Sequence, residues 1–316
     1  MAQYRQIAFL FPGQGAQYPG MGKDVASHYP TARLALEEAD DILNRKLSSI
    51  IFEGPDALLT ETRNSQTAIF ALSIAYVRVL NELFPSLQPH LCAGLSLGEY
   101  TALTAADLLP FQEALSLVQH RAQFMNDACE KHKGTMAVVM GLDAAAVESI
   151  VKEVNMPHDL WAANFNCPGQ VVISGTARGI AAGTQAAQAR GAKRVLPLSV
   201  HGAFHSGLMR EAEEQLSPYI AHAPIRKGKA GIVMNVPGDI VPEIDQMRHN
   251  LIKQVTSPVR WEQGIRAMEK RGVDLFIEIG CGKTLSGMNK RIGVQAPTLS
   301  FEKIEDLDMI AQQLGR

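Results

Sequence analysis

Cys92-Ala-Gly-Leu-Ser-Leu-Gly-Glu-Tyr-Thr-Ala102 is the stretch on which the fold of this chain turns, and within it a serine stands between two glycines as Gly94-x-Ser96-x-Gly98. Residues 89–93 (Pro-His-Leu-Cys-Ala) suit a short buried strand, and residues 98–106, with Ala102, Leu103 and Ala105, suit a helix. Ser96 therefore falls on a strand-to-helix turn, where glycines let two chain segments approach closely because they carry no Cβ. The helix begins just after the serine, so its free N–H groups face negative charge that develops there. These features make Ser96 the candidate nucleophile. The bland alternative is an ordinary Gly/Ser turn, since a five-residue pattern also arises by chance.

Upstream of this turn, Ile7–Phe11 reads as a buried strand that breaks at Pro12-Gly13-Gln14-Gly15-Ala16-Gln17. Gln14, held between glycines, is a candidate to offer a backbone N–H or an amide to an oxyanion, against the alternative of a flexible turn. A helical region with Leu34, Leu36, Ala39, Ile42 and Leu43, a polar stretch, and a second helix through Ala68–Leu83 read as cover for a sheet.

Downstream, Pro110 opens a helix over 111–128. Arg121 is its oddity. On a 3.6-residue period it shares a face with Ala114, Leu117, Val118, Phe124 and Met125, and no carboxylate lies three or four residues away. A buried guanidinium needs a partner. That partner is either a distant Asp or Glu or the carboxylate of a ligand, which a guanidinium can grip with two parallel hydrogen bonds.

From about residue 133 the pattern tightens: strand Met136–Gly141, helix Ala144–Val154, strands Leu160–Asn164 and Gln170–Ser174, helix Ala177–Arg190, strand Val195–Val200. This β-α-β-β-α-β order is ferredoxin-like and sized for a small inserted domain over 131–201, between halves 1–130 and 202–316 of a larger domain. The insert ends at His201-Gly-Ala-Phe-His205, followed by a helical stretch Leu208–Ile220. His205 sits at the seam of the two units, where a cleft is expected, and is the candidate base. His201 and His205 stand four apart, but Gly202 weakens a helix there and no glutamate lies between them, so no metal site is expected. Later elements continue the α/β alternation: strand Gly231–Val236, helices Ile244–Val255 and Val259–Arg271, and a buried strand Val273–Ile279. Gly280-Cys-Gly-Lys-Thr284 imitates a phosphate loop, but Ile277 stands where that motif needs glycine.

Composition narrows the class. The chain has 316 residues, 46% of them hydrophobic, with a formal net charge of −2 and no long basic run, which argues against nucleic acid as the main partner. No apolar run reaches membrane-spanning length, and Ile7–Phe11 is too short for the core of a signal peptide. Cys92, Cys129, Cys167 and Cys281 are scattered rather than paired for metal or redox chemistry, so a reduced, cytoplasmic setting is expected.

Taken together the motifs resemble one family, the malonyl-CoA:acyl carrier protein transacylases, which are related to the acyltransferase domains of polyketide synthases. The resemblance runs nearly end to end: Phe11-Pro-Gly-Gln-Gly-Ala-Gln17, Gly94-Leu-Ser-Leu-Gly-Glu-Tyr100, Arg121 in Arg-Ala-Gln-Phe-Met, Asn164-x-Asn166-x-Pro-Gly-Gln-Val-Val-Ile-Ser-Gly175, Gly202-Ala-Phe-His205 and Gln254-x-x-x-Pro-Val-Arg-Trp261. It implies an α/β-hydrolase-like large domain carrying the ferredoxin-like insert. It further implies Ser96 as nucleophile, His205 as its base, and Gln14 with the backbone N–H of Leu97 as oxyanion hole. Arg121 would bind the malonyl carboxylate, and Gln254 would orient His205 through its main-chain carbonyl. Phe204 stands where related polyketide domains choose malonyl over methylmalonyl. One position departs from the pattern: Leu95 stands where the family usually has histidine before the nucleophile.

The implied reaction is ping-pong transfer of malonyl from CoA to the phosphopantetheine thiol of acyl carrier protein for fatty acid synthesis, by a monomer without metal or redox cofactor. The alternatives are a trans-acting acyltransferase of a polyketide pathway, a Ser-His thioesterase or other hydrolase, and a non-catalytic carrier-binding module. Because carrier proteins of this kind are usually acidic, Arg271, Lys283, Lys290 and Arg291 are candidates for docking.

Overall fold

The structure, a computed structural model, describes residues 4–315. Ten strands form two sheets. The larger is built from β1 (Ile7–Phe11), β2 (Leu91–Gly94), β7 (Gly231–Met234), β8 (Asp239–Ile240), β9 (Leu275–Ile279) and β10 (Thr298–Phe301), in the order β10-β9-β1-β2-β7-β8. All its pairings are parallel except β7 with β8. Strands of a parallel sheet are covered on both faces and read as continuous apolar runs, as Ile7-Ala-Phe-Leu-Phe11 does. Its alternate residues divide accordingly: Phe9 and Phe11 face the core that contains Ile69, Phe70 and Val118, while Ala8 and Leu10 face the one containing Ile265, Leu285 and Met288. Helices Thr62–Leu83 and Phe111–Lys131 thus cover one face, and Trp261–Lys270 and Thr284–Ile292 the other.

The smaller sheet holds β3 (Thr135–Met140), β4 (Leu160–Cys167), β5 (Gln170–Gly175) and β6 (Arg194–Pro197), in the order β4-β5-β3-β6 and antiparallel throughout. Helices Ala144–Val154 and Ala177–Ala189 pack on it around Val139, Val147, Ile150, Leu160 and Ile173. The element order over 135–197 is the β-α-β-β-α-β that the sequence pattern suggests. β4 runs three residues longer than its hydrophobic pattern does, because it continues into a bridge with Val259 of the larger unit. Phe165 N–H donates to Val259 O and Val259 N–H to Ala163 O, both at 2.8 Å. This seam ties the small sheet to the larger unit.

Several elements differ from the periodicity-based reading. The stretch between the first two long helices is not merely polar connection but contains helices Leu47–Glu53 and Asp56–Thr60. The expected helix at 208–220 is a 3-10 turn, Gly207–Met209, followed by helix Arg210–His222. That break follows from Ser206, whose hydroxyl accepts from Leu208 N–H and donates to Ala203 O, stabilising a tight turn at the entry. β6 ends at Pro197 rather than Val200: Leu198 N–H still donates to Met136 O at 2.9 Å, but Val200 N–H then turns back to Leu198 O, which takes the chain out of the ladder.

Candidate active site

Ser96 occupies the turn between β2 and helix Gly98–Ala105, in the left-handed region at φ 53°. The sequence builds this turn by sterics. A Cβ on Gly94 would lie 1.9 Å from the Gly98 carbonyl, and one on Gly98 would lie 2.3 Å from Phe11 O. Asn235, just past β7, clamps the turn from the other side: its Oδ1 accepts from Ser96 N–H at 2.7 Å and its Nδ2 donates to Gly94 O at 2.7 Å. A non-glycine residue held at positive φ persists only where its surroundings over-determine it, and these contacts do so.

His205 also sits at positive φ, 56°, and is buried. Its Nδ1 lies 2.8 Å from Gln254 O and its Nε2 2.9 Å from Ser96 Oγ. A carbonyl only accepts, so Nδ1 carries the proton and Nε2 presents a lone pair to the serine hydroxyl. Burial, reinforced by the nearby Arg121 charge, lowers the imidazole from its ordinary 6.5 to about 4, so the ring is neutral and ready to take a proton. His201, four residues earlier, is exposed and pairs instead with Glu130, so the two histidines do not converge.

Arg121 lies on the buried face of its helix, as its spacing indicates, at 1% exposure. Its partners are neutral: Nη1 donates to Gln66 Oε1, and Nη2 to Ser96 Oγ at 3.0 Å and Gln254 Oε1 at 2.9 Å. Its Nε–H is buried without an acceptor. The ring of Tyr100 stands 5.5 Å from the guanidinium carbon, in range for a cation–π contact.

A cavity of about 230 Å³ opens in front of Ser96 and His205 and is walled by Gln14, Leu95, Ser96, Asn166, Phe204 and His205 among others, with Arg121 behind Ser96 rather than in the wall. The Gln14 side chain turns to Thr62, to which it donates at 3.2 Å, so what it can offer an oxyanion is its backbone N–H rather than its amide. Neither that N–H nor the N–H of Leu97 meets an acceptor among the described residues. Leu95 presents an apolar side chain to the cavity in place of the imidazole that the resemblance leads one to expect there.

Three buried polar residues escape the sequence reading: Glu99, Asn235 and Gln66. Glu99 looks like an ordinary acidic residue in the first turn of a helix, yet it is 0% exposed. Its carboxylate accepts from Asn235 N–H and from Gln254 Nε2, each at 2.6 Å. The one sequence signal was its place three residues after Ser96, which turns it inward with the start of the helix.

A serine hydroxyl facing a neutral, buried imidazole on a strand-to-helix turn is the apparatus of covalent acyl chemistry. Residues 8–296 match the acyl transferase domain family, and the chain belongs to that family of enzymes. Its relatives are more particular still. It is 42% identical, over 98% of its length and 97% of the other's, to a malonyl CoA-acyl carrier protein transacylase of Bacillus subtilis. Among solved structures, the malonyl CoA-acyl carrier protein transacylase of Coxiella burnetii superposes with a TM-score of 0.94 at 32% identity, covering 100% of both chains. A malonyl-transacylase solved in complex with a type II polyketide acyl-carrier protein superposes at 0.93 with 34% identity, over 99% of this chain and 100% of that one.

Proposed function

We infer that this acyltransferase moves a malonyl group from CoA to the phosphopantetheine thiol of acyl carrier protein, supplying fatty acid synthesis. The observation that carries the reading is Arg121 Nη2 standing 3.0 Å from Ser96 Oγ, beside the Ser96–His205 pair. A fixed cation at the nucleophile suits an acyl group that ends in a carboxylate, and a generic serine hydrolase has no use for it. As Oγ attacks the thioester carbonyl, His205 Nε2 takes its proton, and the oxyanion settles on the Gln14 and Leu97 N–H groups. Collapse breaks the C–S bond, His205 returns the proton to the departing thiolate, and a malonyl ester remains on Ser96. The carrier thiol then reverses these steps. Atoms and protons balance throughout with no metal or redox cofactor.

Gln254 holds the base through its main-chain carbonyl, and Phe204 narrows the cavity around the malonyl α-carbon. We read an α/β-hydrolase-like domain over 1–130 and 202–316 and a ferredoxin-like insert over 131–201, a reading supported by the parallel-rich larger sheet and the antiparallel smaller one. The chain works as a cytoplasmic monomer, with neither nucleic acid nor a membrane as partner; no helix among the described residues is long and apolar enough to cross one. For carrier docking, Arg271, Lys283, Lys290 and Arg291 are all exposed, and Thr284 beside Lys283 lines the cavity.

The test is covalent trapping. Intact mass after rapid quench with malonyl-CoA should show one added malonyl, mapped to Ser96 and absent from Ser96→Ala. A label on another residue, or none in the wild type, would overturn the assignment.

A further inference from the structure

The malonyl reading leaves a buried carboxylate without a task. Glu99 is fully buried three residues from the nucleophile, and neither of its oxygens touches Ser96, His205 or the cavity. One oxygen accepts from the backbone N–H of Asn235, whose side chain clamps the Ser96 turn. The other accepts from Gln254 Nε2, and that same amide group donates to Ser96 O at 2.8 Å while its Oε1 accepts from Arg121 at 2.9 Å.

The polarity of an amide is a matter of which end meets a donor and which an acceptor. Asn235 N–H can only donate, and Ser96 O can only accept. In its charged form Glu99 accepts with both oxygens, so the NH2 of Gln254 then faces it and the amide oxygen faces Arg121. Turned the other way, the amide would set its NH2 against the guanidinium and its oxygen against both the carboxylate and Ser96 O. We infer that Glu99 is a positioning residue that fixes the polarity of the Gln254 amide and thereby aims Arg121 at the nucleophile. Among the described residues no carboxylate lies within ion-pair distance of Arg121, and Glu99 is the side-chain carboxylate whose charge acts on it. Burial raises the carboxyl to about 7, while the Asn235 and Gln254 hydrogen bonds and Arg121 favour its charged form.

The inference rests on the malonyl reading and predicts a change of selectivity. In Glu99→Gln the side-chain oxygen must stay on Asn235 N–H, so its NH2 confronts the NH2 of Gln254. Gln254 then turns over and presents a donor to Arg121. His205 is held by the main chain of Gln254 and keeps its place. The kcat/KM for malonyl-CoA loading should therefore fall about 10- to 100-fold, the range expected for losing a hydrogen bond to a charged group, with acetyl-CoA loading falling several-fold less. Glu99→Asp keeps an acceptor-only group on a shorter arm and should keep the malonyl/acetyl ratio nearer the wild type, which also covers the case of Glu99→Gln failing to fold.

A double-mutant cycle makes the route explicit: in an Arg121→Ala background, Glu99→Gln should shift the ratio no further. Equal losses for both substrates in folded Glu99→Gln would overturn the inference. So would a ratio shift that persists without Arg121, or an Asp variant with a ratio no better than that of Gln. Failure of the malonyl reading has a separate signature: Arg121→Ala alone would leave the ratio unchanged.

Discussion

Replacing Arg121 by alanine tests the malonyl reading most directly. The side chain is 1% exposed and donates to Gln66, Ser96 and Gln254, so its removal takes the cation away from the nucleophile and leaves a gap faced by two amide oxygens and the serine hydroxyl. A malonyl carboxylate entering that gap would be buried unpaired. Truncating one partner of a buried charge pair costs about 2–5 kcal/mol, which is roughly 30- to several-thousand-fold in kcat/KM. An acetyl group carries no charge and escapes this penalty, so preference should invert toward acetyl-CoA. Arg121→Lys keeps a charge but has no fork, and should fall between. The assay is kcat/KM for malonyl-CoA and acetyl-CoA on the wild type and both variants. Thermal melting serves as control, because Gln66 and Gln254 each lose a donor, at about 1–3 kcal/mol apiece when a buried group is left unsatisfied. A parallel loss for both substrates in a folded protein would make Arg121 structural and refute the reasoning.

Four further outcomes are expected. With the His205 imidazole lowered to about 4, kcat/KM for acetyl-CoA loading should change little as pH falls through 6.5 and decline only as it approaches 4, whereas malonyl-CoA loading should begin to fall near pH 7, where Glu99 takes up its proton; Arg121→Ala removes a charge of like sign beside His205 and should move the His205 decline upward. The same depression makes the folded state lose stability relative to the unfolded one between pH 6.5 and about 4, since the unfolded imidazole takes its proton first, and His205→Ala should flatten that part of a melting-temperature profile. Phe204→Ser should relax discrimination against methylmalonyl-CoA by about 1–3 kcal/mol, the range a single methyl group commands in a pocket; an unchanged ratio of kcat/KM values would remove Phe204 from the selectivity argument. Reversing charge at Lys290 and Arg291 should slow transfer to the carrier protein and leave loading from malonyl-CoA intact. A control is needed in the last case, because Arg291 also donates to Gln170 of the small sheet at 2.6 Å, so equal loss in both half-reactions would indicate a disturbed seam instead.

The amino-acid sequence by itself determined what local sterics and periodicity can carry. Gly94 announced the turn through a local constraint, because its Cβ would meet the backbone of Gly98 four residues on, whereas the room denied to a Cβ at Gly98 is taken by Phe11 O, which only the tertiary structure brings there. The apolar face of helix Phe111–Lys131 put Arg121 inside, since a 3.6-residue period is a property of one element. The alternation from residue 135 to 197 disclosed the small sheet for the same reason. Tertiary structure alone decided what those groups meet. Arg121 finds amide oxygens 55 residues before it and 133 after it, a separation at which sequence carries no trace of contact. Every residue owns a main-chain carbonyl, so nothing in the side chain of Gln254 marks it as the support of His205; only the family resemblance pointed there. Glu99 shows the limit most sharply. An acidic residue in the first turn of a helix is ordinary on a solvent face, and only the packing of β7 and helix Ile244–Gln254 over that turn makes it a buried acceptor with two fixed donors.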